Sequence, residues 1–183
     1  MYGMIHRAVR QMVLDRAGQE TWDQIEAIAG TGLSELISAE IYDDAVTLQL
    51  IGSAARCVEI DVGEFLVDFG RYWIAYAESG PFGPILNFTG DDIATFLRNL
   101  DRLHDGVQTV MPNARMPSFK VVSEEPDVLL VDYHSERTGL EPFVEGLLLG
   151  LLDRFNLSGA IDIVPSAEKA VRFRIAFQPR ADG

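Results

Sequence analysis

Three histidines and one cysteine are the side chains of this 183-residue chain best suited to metal binding or nucleophilic chemistry. His104 lies in a segment where Leu97, Leu100 and Val107 recur at helical spacing, so we expect its imidazole on an apolar helix face. Such a histidine is either a core residue hydrogen-bonded to a carbonyl or a single axial ligand of a metal. We expect no second histidine or carboxylate to join it in a metal cluster. The other ligands of a metal bound here would therefore come from a macrocycle.

A second group of polar side chains lies in the segment from Tyr133 to Arg137. If this segment is a strand, Tyr133, Ser135 and Arg137 share one face and form a row about 13 Å long. The phenol, the hydroxyl and the guanidinium all donate hydrogen bonds, which suits a ligand that carries carboxylates. An ordinary exposed strand face has the same pattern. His134 alternates to the opposite face, where we expect it to be exposed.

The remaining candidates for chemistry are weaker. His6 is adjacent to the apolar Ile5 on a predicted helix, and neighbouring helical residues point about 100° apart, so we expect His6 to face solvent. The chain has no nucleophile elbow, phosphate-binding glycine loop or carboxylate pair with defensible spacing. We therefore expect a protein that is not an enzyme.

Composition excludes several classes of partner. The chain has 28 acidic and 15 basic side chains, a formal net charge of −13, and this acidity disfavours nucleic acids and anionic membrane surfaces. A lone Cys57 forms no internal disulfide. The N-terminus lacks the apolar stretch of a signal peptide, and the most apolar segment, 143–152, is too short to cross a bilayer. We expect a cytoplasmic protein.

The elements that must position these residues are mainly helical over the first two thirds of the chain. Helical periodicity covers residues 2–17, where Gly18 is expected to end the helix, and returns over residues 21–29. A short segment, 33–41, follows. Three further helices are predicted: one capped by Asp43 or Asp44 and running towards Cys57, one capped by Asp61 and running through Tyr76, and one opened by Thr89 or Asp91 and running to about Val110.

Beyond Pro117 the period of the apolar residues changes from 3.6 towards 2. We predict strands over 118–123, 127–137, 159–165 and 170–177, and a helix over 142–155 that a proline begins. The pattern indicates an α+β fold, in which a helical N-terminal part packs beside a four-stranded antiparallel sheet carrying one long helix. We expect a single domain over 1–183, mainly helical over 1–115 and sheet plus helix over 116–183.

These residues resemble a known family. The pattern Tyr133-x-Ser135-x-Arg137, with His104 in Asn99-Leu100-Asp101-x-Leu103-His104, is similar to the H-NOX (haem nitric oxide/oxygen binding) family of bacterial gas sensors, which is related to the haem domain of soluble guanylate cyclase. Further matching segments are Met1-Tyr2-Gly3, Ile41-Tyr42-Asp43-Asp44, Phe69-Gly70-Arg71, Pro117-Ser118-Phe119 and the helix around 146–150. The resemblance extends over nearly the whole chain.

The resemblance implies a haem b between the two parts of the chain, with His104 as the proximal iron ligand. By the same resemblance, Tyr133, Ser135 and Arg137 hold the haem propionates. Pro117 matches a proline that presses on the macrocycle, Ile5 matches a contact on its other side, and Asp43 matches a carboxylate near the propionate-binding arginine.

The resemblance also implies which gas binds. Family members that bind oxygen stably carry a tyrosine near the start of the last long helix, and the matching residue here is Pro142, which has no side-chain donor. Val9 and Ala77 stand where other members carry aromatic residues. Trp73 lies on the helix expected to line the distal side, where it either packs against Phe143 or donates its indole N–H to a ligand. Tyr72 and Tyr76 are expected on other faces. We predict a sensor of NO that also binds CO and excludes stable O₂.

Two questions stay open at this point. A haem-free domain with a core His104 and a carboxylate-binding Tyr133-Ser135-Arg137 row, or a protein-interaction domain, is the main alternative. The chain ends soon after its last predicted strand, so we expect its signal to pass to a separate protein, which in this family is commonly a histidine kinase or a cyclic-di-GMP enzyme.

Overall fold

The computed structural model describes residues 1–30, 40–166 and 170–180. Within them lie six helices and one four-stranded antiparallel sheet, which confirms the predicted α+β fold. The chain divides into two compact units, Met1–Phe69 and Gly70–Gly183. None of the helices that the structure describes is long and apolar enough to cross a membrane.

The first unit is helical. Helix α1 (Gly3–Ala29) packs against α2 (Asp44–Cys57), and α3 (Val62–Ser79) begins in this unit. The helix does not end at Gly18 as predicted: α1 continues past it but bends there, because Gly18 has φ 82°, a conformation that favours glycine. Asp43 caps α2 by accepting a hydrogen bond from the Ala45 N–H at 2.8 Å. The predicted 33–41 segment lies almost entirely outside the described residues.

The second unit contains the sheet. It holds the rest of α3, then α4 (Gly83–Thr89), α5 (Ile93–Val110), β1 (Ser118–Glu125), β2 (Val128–His134), α6 (Glu141–Arg154), β3 (Leu157–Val164) and β4 (Val171–Pro179). The spatial order of the strands is β1-β2-β4-β3. Helix α6 packs on β3 and β4, and α5 packs along β1. Phe96, Leu129, Leu148 and Phe173 are among the buried residues of the core that these contacts enclose.

The start of α5, the short helix before it and the end of β2 differ from the prediction. Asp92, and neither Thr89 nor Asp91, caps α5, because its carboxylate accepts from both the N–H and the hydroxyl of Thr95, each at 2.8 Å. Thr89 instead ends α4, a short helix that the periodicity did not predict because it has only seven residues. Strand β2 ends at His134, three residues before the predicted end at Arg137.

Candidate functional site

His104 lies at the start of the fourth turn of α5, on the side that packs against β1. Its Nδ1 is 3.0 Å from the carbonyl oxygen of Pro117, which directly precedes β1. Because a carbonyl only accepts, Nδ1 carries the proton of this hydrogen bond. Within the described residues Nε2 has no hydrogen-bond partner. The neutral imidazole therefore holds its lone pair at Nε2.

The surroundings of His104 favour this neutral form. Burial lowers the pKa of the imidazole below its usual range, and the Pro117 carbonyl, Asp101 and Asp105 only partly oppose that shift. A neutral imidazole on a rigid helix is a good ligand for a metal ion. The described residues include no group of three or more histidine, cysteine or carboxylate side chains able to hold a metal. A metal at His104 would thus depend on ligands that the described side chains do not supply.

The Tyr133-Ser135-Arg137 group is not a row on a strand. Tyr133 is the sixth residue of β2, but Ser135 and Arg137 follow the end of that strand, and the Ser135 hydroxyl accepts from the Arg137 N–H at 3.0 Å. This local side-chain bond turns the chain and competes with further pairing in the sheet. The Arg137 guanidinium donates to the carbonyl of Arg115 at 2.9 Å. A turn, rather than a flat face, brings the three donors close together.

Tyr133 is the fixed member of this group. Its side chain is buried, with ring centroids 5.3 Å from Phe119 and 6.2 Å from Phe173. Burial raises the pKa of the phenol, and its hydrogen bond with Ser135 only partly opposes that shift. The phenol therefore stays protonated at neutral pH. Phe119 also lies beside His104, with ring centroids 6.1 Å apart, so one ring separates the imidazole from the phenol.

The residues predicted for the distal side lie on α3 and α6. Trp73 is half-buried against the core of the second unit, and its ring centroid lies 5.9 Å from that of Tyr76, which is 6.1 Å from that of Tyr72. The expectation that Tyr76 lies on another face than Trp73 is wrong, since residues three apart are neighbours on a helix and their rings are in contact. Pro142 and Phe143 occupy the first turn of α6, both half-buried.

Sequence reasoning missed how α3 and α6 meet. A Cβ added to Gly70 would lie 2.1 Å from the carbonyl oxygen of Phe143 and 2.7 Å from the amide nitrogen of Leu147, so the two backbones touch. Gly150 similarly faces Ile74 and the carbonyl of Arg71. The signal in the sequence is the glycine pair at 146 and 150, whose four-residue spacing puts both glycines on one helix face. This contact holds the first turn of α6 against α3.

In the first unit, His6 corrects a prediction. Its side chain is completely buried, its Nε2 is 2.7 Å from the Thr47 hydroxyl, and its ring packs against Tyr42. Burial lowers the pKa of His6 to about 4. The expectation of a solvent-facing His6 is wrong because the buried face of α1 is wide enough to include it beside Ala8 and Val9. Ile5 itself is half-buried.

A cavity of about 560 Å³ lies elsewhere in the second unit, between the N-terminus of α5 and the end of β1. Its lining combines the carboxylates of Asp91, Asp92, Glu124 and Glu125 with apolar side chains that include Leu129. None of the residues predicted for the site lines it. The cavity is therefore separate from His104 and the donor turn.

A family model described as haem-NO-binding matches residues 2–163, and the chain belongs to this family, the H-NOX domains of gas-sensing haem proteins. H-NOX domains bind haem.

Relatives of known name agree with this assignment. The soluble guanylate cyclase gcy-35 of Caenorhabditis elegans is 30% identical over 151 residues, which cover 81% of this chain and 22% of the relative. Gcy-32 of the same organism is 27% identical over 175 residues, covering 93% of this chain and 26% of the relative. The chain thus spans about a quarter of the length of these relatives.

Solved structures share the fold. An Fe(II) unliganded H-NOX protein from K. algicida superposes with a TM-score of 0.83 at 22% identity, covering 100% of both chains. An H-NOX protein from S. oneidensis in the Fe(II)NO ligation state gives a TM-score of 0.84 at 18% identity, covering 97% of this chain and 99% of the other. The architecture is therefore that of an H-NOX domain.

Proposed function

We propose that this chain, as one domain over 1–183, is a gas sensor that binds nitric oxide at a haem b held by His104. The hydrogen bond of 3.0 Å from His104 Nδ1 to the Pro117 carbonyl carries the proposal. Histidines that ligate metals commonly hold their second nitrogen in this way, which fixes the tautomer and the ring. Nε2 has no hydrogen-bond partner in the part of the chain that the structure describes, so its lone pair is available to an iron.

The donor turn fits the acidic side of a haem. Haem supplies an iron that binds diatomic gases and two propionate groups that need hydrogen-bond donors. Arg137 offers a charged fork, and the hydroxyls of Tyr133 and Ser135 add two neutral donors. The raised pKa of Tyr133 keeps its proton available for donation. Pro117 and Ile5 complete the proposed haem contacts, and the support for these two contacts is the family resemblance.

The residues at the start of α6 support selectivity for NO. Binding of dioxygen depends on a hydrogen-bond donor much more than binding of NO or CO does. Pro142 has no such donor, and its neighbour Phe143 is apolar. Trp73 is the exception, because its indole N–H is a donor. We propose that Trp73 packs as an apolar wall, so that NO and CO bind and stable O₂ binding is excluded.

The proposed output is a change in α5. This helix carries His104 and packs along β1, so His104 would tether α5 to a bound haem, and a change at that tether would shift the population between two packed arrangements of the helix. We propose that a separate partner, a histidine kinase or a cyclic-di-GMP enzyme, reads this change. The support for the partner class is the family resemblance.

Absorption spectroscopy of the haem-reconstituted chain tests the ligand. We expect a Soret band that shifts with NO and with CO but forms no stable oxygen complex in air. His104→Ala should lose this spectrum, whereas the matched control His134→Ala, which removes a half-buried histidine at the end of β2, should keep it. An unchanged spectrum in His104→Ala would contradict the assignment. Failure of the wild-type chain to take up haem would favour the haem-free carboxylate-binding or protein-interaction domain.

The donor turn has its own matched pair of variants. Arg137→Ala removes the charged fork, whose hydrogen bonds to carboxylates are worth about 1.5–3 kcal/mol, so haem loss to apomyoglobin should be roughly 10- to 100-fold faster. Arg115→Ala removes an equally charged, exposed side chain and keeps the backbone carbonyl that Arg137 contacts. Equal haem loss from both variants would show that net charge, and not the fork, is what matters.

A further inference from the structure

Helix α5 touches the start of β1 at three consecutive residues. The Asp101 carboxylate accepts from the Ser118 hydroxyl at 2.6 Å and from the Phe119 N–H at 2.8 Å. One turn further along the helix, His104 Nδ1 donates to the Pro117 carbonyl at 3.0 Å. Residues three apart share a helix face, so α5 presents a carboxylate and an imidazole side by side to one short stretch of strand.

The hydrogen bonds of Asp101 satisfy two polar groups at the start of β1. β1 is an edge of the sheet, and its pairing with β2 places Phe119 opposite Tyr133. Phe119 is buried, and its N–H bonds to Asp101, outside the strand ladder. Such a buried N–H is costly if it has no acceptor. Asp101 thus holds the Ser118 side chain and the N–H of the peptide unit that follows Ser118, and the Ser118 backbone N–H shares its own peptide unit with the Pro117 carbonyl.

We propose that Asp101 is a positioning residue for His104. By holding Ser118 and Phe119 it keeps the Pro117 carbonyl on Nδ1, and thereby keeps the imidazole lone pair on Nε2, where a metal would bind. Its consequence for haem rests on the proposed function, but its effect on the imidazole does not. The proposal concerns hydrogen bonds rather than charge.

The chain offers a control that separates these two effects. Asp105, one residue beyond His104, is an exposed carboxylate that acts on the imidazole electrostatically, as Asp101 does. Its carboxylate makes no hydrogen bond to β1 among the described residues. Asp105→Ala therefore removes a comparable charge and leaves all three contacts between α5 and β1 intact. Asp101→Asn likewise removes a charge, that of Asp101 itself, and can keep the contacts: its amide oxygen can accept from the Phe119 N–H and its amide N–H can donate to Ser118 Oγ.

Three measurements report on His104. Imidazole ¹⁵N NMR of the full chain without haem reports which ring nitrogen carries the proton. Resonance Raman of the reduced, haem-loaded chain reports the iron–histidine stretching frequency, and transfer to apomyoglobin reports haem loss. In Asp101→Ala we expect a mixture of tautomers, a lower stretching frequency and haem loss about 10- to 100-fold faster, the usual range for losing an outer-sphere partner of a metal ligand.

Asp101→Asn and Asp105→Ala should both keep the wild-type tautomer and stretching frequency, and Ser118→Ala should lie between wild type and Asp101→Ala. A wild-type tautomer in Asp101→Ala, or an equal change in Asp105→Ala, would overturn the proposal. If Asp101→Ala does not fold, a shift of the tautomer in Ser118→Ala supports the proposal and no shift overturns it. If the wild type binds no haem, the proposed function fails while the tautomer measurement still decides the role of Asp101.

Discussion

Replacing Gly70 with alanine tests the backbone contact between α3 and α6. The added Cβ would lie 2.1 Å from the Phe143 carbonyl oxygen, whereas ordinary contacts begin near 3.4 Å, so α6 must retreat by more than an ångström. Overpacking costs about 1–3 kcal/mol, and we take the upper end because backbone atoms, which adjust less than side chains, form the contact. Alanine regains about 1 kcal/mol of helix propensity. We expect Gly70→Ala to be destabilised by about 2 kcal/mol.

The matched control is Gly106→Ala on α5, where an added Cβ meets no atom within 4 Å. That variant should gain the propensity alone and be more stable than wild type by about 1 kcal/mol. Urea unfolding followed by circular dichroism gives both free energies, provided the m-values agree. Equal stabilities for the two variants would refute the contact. A larger loss of the helix signal before unfolding in Gly70→Ala would locate the damage at α6.

Three further predictions concern charge and selectivity. His6 is buried with a pKa lowered from 6.5 to about 4, so its contribution to stability is fully present above pH 6.5 and is lost as the pH falls towards 4. By linkage, the free energy of unfolding should fall by about 2 kcal/mol between neutral pH and pH 5. This loss is measured as the difference in pH dependence between wild type and His6→Gln. Asp132 is buried, and its carboxylate accepts from the Arg172 guanidinium at 2.6 and 2.8 Å. Asp132→Ala should therefore lower the free energy of unfolding in urea by about 3–5 kcal/mol, and adding Arg172→Met should recover most of that loss. No recovery would mean that the unpaired Arg172 is not the cause of the loss. Pro142→Tyr should form a stable oxygen complex in air after haem loading, whereas Pro142→Ala, which also removes the proline but adds no donor, should not; equal behaviour would reject the donor argument.

The helices and strands were largely predictable because each buries one face. Periodicity gave α1 with its break at Gly18, α2 capped by Asp43 and all four strands near their observed positions. The start of α5 was not predictable, because Thr89, Asp91 and Asp92 are all good capping residues and only Thr95 decides between them. Local helix-capping propensity alone does not determine which of the three residues caps α5.

The site was predictable by residue type and less so by geometry. The spacing of Leu97, Leu100 and Val107 placed His104 on the packed side of α5. It did not show that Nδ1 is held by Pro117, because that contact joins residues 13 apart in the sequence. The turn at Ser135 escaped detection because alternation continues through it, and only the hydrogen bond between its hydroxyl and Arg137 ends the strand. His6 escaped because adjacency to Ile5 says nothing about how wide the buried face is.

Phe119 has a consequence for how variants of this protein are interpreted. Its ring lies between the imidazole of His104 and the phenol of Tyr133, and Tyr133 in turn contacts Phe173. The rings are in contact, so the free-energy changes caused by substituting neighbouring members of this row of aromatic rings are not additive. A substitution at Phe119 would therefore alter the environments of both His104 and Tyr133 at once, and no single variant at that position separates an effect on the imidazole from an effect on the phenol.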